Sequence, residues 1–154
     1  MIKRIKKHWR TLRRISANLC GKMIKTMLYR PHLALPTIWA TLEAIYHREI
    51  EYSQMRPGNN IANADKHAIW NALIAYHTQP LFATPDAAVN WAKKITDLHE
   101  DCFVNHPAER QMDLENNRIG RNYYLELFQQ KKKRPSKSNL LEHIKSSEKL
   151  IFID

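Results

Sequence analysis

A chain with only three glycines in 154 residues has few places to make the left-handed turns on which β-hairpins depend. Its prolines sit between long proline-free segments, and those segments carry apolar residues at steps of three and four. The pattern predicts an all-α fold, a single-domain orthogonal helical bundle of about five to six helices led by a basic amphipathic one. Hydrophobic residues make up 44% and charged residues 26%, a balance that builds one core and excludes a disordered chain. No apolar run reaches the roughly 18 residues of a membrane span. The N-terminal segment also lacks the continuous apolar stretch of a secretory signal. The expectation is a cytoplasmic protein or one peripheral to a membrane, with no transmembrane span.

The net charge of +10 is confined to one end. Ten of the 25 Lys and Arg lie in residues 1–30, which hold no Asp or Glu, leaving 15 basic against 15 acidic residues elsewhere. The reading is therefore three-part: a basic amphipathic N-terminal helix (1–30), a neutral helical core (31–130), and a basic linker, short helix and apolar tail (131–154). Within the first part, Ile2, Ile5, Trp9, Leu12, Ile15, Leu19, Met23 and Met27 make an apolar stripe over 2–29, with Gly21 as a point of interruption. R-P-H-L-A-L-P (30–36) reads as a break, followed by a second helix over about 37–54. Further helices are expected over about 62–78, 85–103, 107–131 and 139–149. Cys20 and Cys102 are the only cysteines and lack metal-binding spacing. They are either free thiols of a reducing compartment or one bridge.

Three helical segments stand out, 63–71, 98–102 and 112–121, and two of them break the helical rule of an apolar inner face. In the first, Asn63, Lys66, His67, Trp70, Asn71 and Ile74 share one face of the 62–78 helix. In the third, Met112, Asp113, Asn116, Asn117, Gly120, Tyr123, Tyr124 and Leu127 form one stripe with apolar ends and a polar middle. Asp and Asn compete for the backbone in a helix interior, and Gly costs about 1 kcal/mol there against Ala. Four unfavourable choices on one face imply a tertiary reason: either a ligand-binding centre shared with the 62–78 helix, or a hydrogen-bond network that locks the two together. The 85–103 helix is mixed. Ala88, Trp91, Ile95, Leu98 and Cys102 form its apolar stripe, and His99 flanks it. Periodicity places Glu100 on the polar side with Lys93 and Asp97.

These segments, Asn63 to Asn71 (N-A-D-K-H-A-I-W-N), His99-Glu100 and Met112 to Arg121 (M-D-L-E-N-N-R-I-G-R), resemble a poorly characterised bacterial helical domain family. That family is found alone and at the ends of large polymorphic-toxin-like proteins. Its pattern reads N-A-x-[KR]-H-A-x-W-N, H-E and M-D-x-x-N-N-x-x-G-R. The resemblance spans residues 56–125 and leaves out the basic N-terminal helix and the C-terminal tail. It implies a common fold and, through the toxin association, an enzyme acting on nucleic acid, lipid or cell wall. It also returns Glu100 to the site.

Two functions follow. The first is a toxin- or effector-like hydrolase with its centre between core helices. His67, His99, Glu100 and Asp113 would be the catalytic groups. Asn63, Lys66, Trp70, Asn71, Asn116, Asn117 and Arg121 would hold substrate. His67, His99 and Asp113 are the candidate ligands for a divalent metal such as Zn or Mn, and a metal-free His–carboxylate mechanism is the variant. The second is a non-enzymatic interaction protein whose polar centre is structural and whose residues 2–30 meet an anionic membrane surface or nucleic acid.

Overall fold

The computed structural model describes residues 17–55, 58, 60–103 and 105–152. Among these lie six α-helices and no strand: α1 (Ala17–Leu28), α2 (Pro31–Glu51), α3 (Ile61–Thr78), α4 (Pro85–Cys102), α5 (Pro107–Lys131) and α6 (Lys137–Lys145), with a short 3-10 turn at Gln79–Leu81. The all-α expectation holds. No helix among the described residues is long and apolar enough to cross a membrane. Residues 2–16 of the expected first helix, and most of the 56–60 loop, lie outside the described residues.

Helix ends follow local chemistry. Asn60 caps α3 by accepting the Asn63 N–H at 3.3 Å, and Thr84 caps α4 by accepting that of Ala87 at 3.2 Å. His106 and Glu109 form a reciprocal capping box at the start of α5, and Lys132, in the left-handed region at φ 50°, closes its far end. Three expectations need correction. Gly21 does not interrupt α1, which runs through it. Residues 30–36 are not a break: α2 begins at Pro31 and carries Pro36 inside it. Pro31 occupies a first-turn position that has no N–H partner to lose. The bond that Pro36 cannot make would have gone to the carbonyl of exposed His32, while buried Leu33 anchors this turn and Thr37 Oγ1 donates to the Leu33 carbonyl at 2.7 Å. Finally, α6 spans 137–145 rather than 139–149, because Ser136 caps it by accepting the Asn139 N–H.

The core is organised around α3, which packs against α2, α4, α5 and α6. Ala62, Ala64, Ala68, Ala72 and Ala75 are all fully buried along it, so its neighbours approach closely on every side. The closest approach is to α5: a Cβ added at Gly120 would overlap the Ala68 carbonyl and lie 2.8 Å from the Ala68 Cα. On the other flank, α1 packs against α4 and α2. Cys20 and Cys102 are paired as a disulfide there, with their Cα atoms 4.9 Å apart, a normal span for a bridge. The pairing selects the bridged alternative for the two cysteines.

Two outcomes test this packing. Gly120→Ala should lose about 1–3 kcal/mol or more in a urea melt, because the obstacle is backbone that cannot move aside. A gain of about 1 kcal/mol, the helix-propensity value, would mean that the helices stand further apart. Reduction of the Cys20–Cys102 bridge should lower unfolding free energy by about 2–4 kcal/mol, read from melts with and without reductant. Superimposable curves would show that the bridge does not form.

Candidate functional site

The polar stripes of α3 and α5 meet as a ladder. Asn63 Nδ2 donates to Asp113 Oδ1 at 2.9 Å, His67 Nδ1 lies 3.2 Å from Asn117 Oδ1, and Arg121 Nη1 donates to Asn71 Oδ1 at 2.8 Å. Each pair is 50 positions apart in sequence, so the two helices run parallel and in register, one rung per turn.

The cations at the two ends fix every group between them. Arg121 can only donate, so the Asn71 oxygen must face it and the Asn71 amide nitrogen faces inward. That nitrogen donates to Asn117 Oδ1 at 2.6 Å and to the His67 carbonyl at 3.2 Å. Asn117 Oδ1 is therefore an acceptor, and Asn117 Nδ2 donates to Glu100 Oε1 at 3.3 Å. His67 Nδ1 faces that acceptor and must carry the ring proton. At the other end, Lys66 Nζ donates to Asn63 Oδ1 at 2.9 Å, which turns the Asn63 amide nitrogen onto Asp113. The result is an unresolved pair: the bare His67 Nε2 faces Asp113 Oδ1 at 3.4 Å. Two acceptors at this distance require a proton or a cation between them.

Glu100 completes the group, 3.5 Å from His67 Nδ1. Its carboxyl is buried despite its place in the polar half of the α4 pattern, because α4 is covered by α1 on one side and by α3 and α5 on the other. His67, Glu100 and Asp113 each offer a ligand atom, and these atoms lie within 4.8 Å of one another. Burial, reinforced by the Asp113 charge, pushes Glu100 up to about 7. Burial likewise pushes Asp113 up to about 6 against the pull of Lys66 and Asn63. The His67 imidazole is held well below its usual range by burial, with Lys66 and His99 adding to the effect.

His67 also lines a cavity of about 340 Å³ together with Lys66, Trp70 and His99. The Trp70 and His99 rings meet edge to face at 4.9 Å, and burial with nearby Lys66 lowers His99 to about 4. His99 thus stands beside the centre but outside the three-ligand group. Asn116 is not brought to the centre: its amide donates to the Ile151 carbonyl at 2.6 Å and accepts the Ile151 N–H at 2.9 Å, clamping the C-terminal tail. Sequence reasoning missed two residues. Thr96 Oγ1 lies 3.0 Å from Asn71 Oδ1 and supports the ladder from α4. Asp65, fully buried, faces His47 Nδ1 at 3.7 Å, and burial raises it to about 6. The only sequence signal for Asp65 is an acid on the otherwise apolar side of α3.

Residues 24–148 match a family described as a domain of unknown function, DUF6973. The match reaches well beyond residues 56–125, taking in all of α2 and α6 and the end of α1. No curated protein and no solved structure matches the chain.

The buried carboxyls set a pH dependence in metal-free protein. An acid whose folded pKa is raised supports folding while protonated, so the Glu100 contribution is full below its ordinary value of 4.5 and fades as pH rises through about 7. His67 acts in the opposite direction, since below its ordinary value of 6.5 only the unfolded chain takes up the proton. The difference between wild type and Glu100→Gln isolates the carboxyl. With chelator present the two should be about equally stable at pH 4.5, and the variant should gain up to about 3 kcal/mol by pH 8. Parallel stability curves across this range would show that Glu100 is not buried as described.

Proposed function

We propose that this chain, which belongs to the DUF6973 family, is a metal-dependent hydrolase whose centre is His67, Glu100 and Asp113. The observation that carries the reading is the facing acceptor pair, His67 Nε2 and Asp113 Oδ1 at 3.4 Å, with the Glu100 carboxyl among the same ligand atoms. A cation relieves that opposition and offsets the burial of both carboxylates. One imidazole and two carboxylates suit Zn or Mn. Asn117 supports the ligand set by accepting the hydrogen bond of the His67 Nδ1–H, the outer-shell contact that orients a ligating histidine. A divalent ion held by His67, Glu100 and Asp113 would supply Lewis acidity and activate a water. Lys66, at the edge of the centre, adds a positive charge where negative charge develops in ester or phosphoester cleavage. An effector-type role for such a hydrolase rests on the motif resemblance alone.

Titration of the purified chain with Zn or Mn should show about one bound equivalent, with affinity rising as pH rises through the carboxyl range because the ligands must shed protons. Asp113→Asn and Glu100→Gln should abolish uptake while leaving the helical circular-dichroism spectrum intact. A wild-type protein that takes up neither ion, or variants that bind as wild type does, would overturn the metal centre.

A further inference from the structure

The cavity beside the centre is built differently from the centre. Its wall is formed by Met23 and Met27 of α1, Ile38, Leu42 and Ile45 of α2, and Ile95 of α4, with Trp70 behind them. The polar atoms along this wall are already engaged. Trp70 Nε1 donates to Thr41 Oγ1 at 2.8 Å, and Thr41 in turn donates to the Thr37 carbonyl at 2.8 Å. Thr37 Oγ1 donates to the Leu33 carbonyl and accepts from Trp91 Nε1 at 2.9 Å. A ligand lying there meets hydrocarbon and sulfur. The other polar groups that line the cavity are Lys66, His67 and His99.

A second, polar pocket of about 250 Å³ adjoins the cavity, bounded by Arg48, Glu49, Gly58 and Asn63 and sharing Ile45 and Lys66 with it. Lys66 uses one of its three ammonium protons on Asn63 and makes no ion pair among the described residues. Arg48 donates to the Met55 carbonyl at 3.4 Å and, among the described residues, forms an ion pair with exposed Glu49 alone, an interaction of little strength. The mouth of the apolar cavity is itself apolar: Ile38, Leu42 and Ile45 line it and are each about half exposed at the surface. A hydrocarbon chain can enter without crossing a polar collar.

We propose that these adjoining pockets form one binding site for a single-chain anionic amphiphile, its hydrocarbon tail in the Met23–Ile38–Leu42–Trp70 cavity and its head at Lys66 and Arg48. The cavity volume lies within the roughly 300–1,000 Å³ of small-molecule sites. The proposal deepens the hydrolase reading by naming a substrate class, since the head lies beside His67. Binding itself does not depend on that reading.

The test is calorimetric titration of the full chain, in chelator and below the micellar range, with dodecyl phosphate, laurate, dodecyltrimethylammonium and inorganic phosphate. Dodecyl phosphate or laurate should bind in a one-to-one ratio, and the stronger of the two identifies the head as phosphate or carboxylate. Inorganic phosphate and the cationic amphiphile should bind at least about tenfold more weakly, a difference of about 1.4 kcal/mol. Ile38→Gln and Leu42→Gln, both at half-exposed positions that tolerate polarity, should each weaken the anionic amphiphiles severalfold. Lys66→Met should weaken them while leaving dodecanol binding unchanged. Inorganic phosphate binding as tightly as dodecyl phosphate would overturn the tail site, and equal binding of the cationic amphiphile would overturn the head site. Asp113→Asn separates the two readings, because it should keep amphiphile binding while losing the metal. A wild type that takes up metal but no amphiphile refutes the amphiphile site alone. One that takes up amphiphile but no metal refutes the metal centre alone.

Discussion

The Ala68–Gly120 contact sets the spacing on which the polar ladder depends. Backbone meets backbone there, with no room for a Cβ on the α5 side. Because α3 and α5 run parallel in register, that one contact fixes the separation of the rungs on either side of it. Asn63 reaches Asp113, His67 reaches Asn117 and Asn71 reaches Arg121 only while the helices stay this close. Short polar side chains such as Asn and Asp have little reach, so a shift of an ångström would weaken all three rungs together. The alanines of α3 and the glycine of α5 are thus as much part of the site as its polar side chains.

Much of this was legible in the sequence, for identifiable reasons. The stripe Asp113, Asn117, Gly120 is so poor a choice for a helix interior that it signalled a tertiary compensation, and the compensation is the ladder. The starts of α4 and α5 were legible because Thr84-Pro85-Asp86 and His106-Pro107 are local signals that neighbours do not override. Pro36 misled because its cost depends on whether its missing partner can be solvated, which is a tertiary fact. Glu100 was placed outward by periodicity and inward by resemblance. Periodicity assumes one covered face, and α4 has two. Asn116 shares its stripe with Asn117, yet one position turns a side chain by about 100° on a helix, enough to aim it at the C-terminal tail instead of at His67.

A buried network of this kind is destabilising if any member is left without its partner. Here the orientation of each amide is dictated from the ends, by Lys66 through Asn63 and by Arg121 through Asn71. Both cations can only donate, and neither can be satisfied by a flipped neighbour. Asn63, Asn71 and Asn117 therefore have one arrangement each, and so does the His67 tautomer. The specification converges from both directions on the space between His67 Nε2 and Asp113, where donors run out.

The cavity wall applies the same device with the opposite outcome. Thr37, Thr41, Trp70 and Trp91 consume one another's polar atoms and leave an apolar surface. One internal pairing scheme removes polarity from the cavity wall, and the other leaves its unmet demand between His67 and Asp113, beside the cavity. The chain thereby sets an apolar cavity beside a buried polar centre, with His67 belonging to both. That division follows from which hydroxyls, amides and indoles are spent on each other. It would persist under substitutions that changed the shape of the wall but kept those pairings.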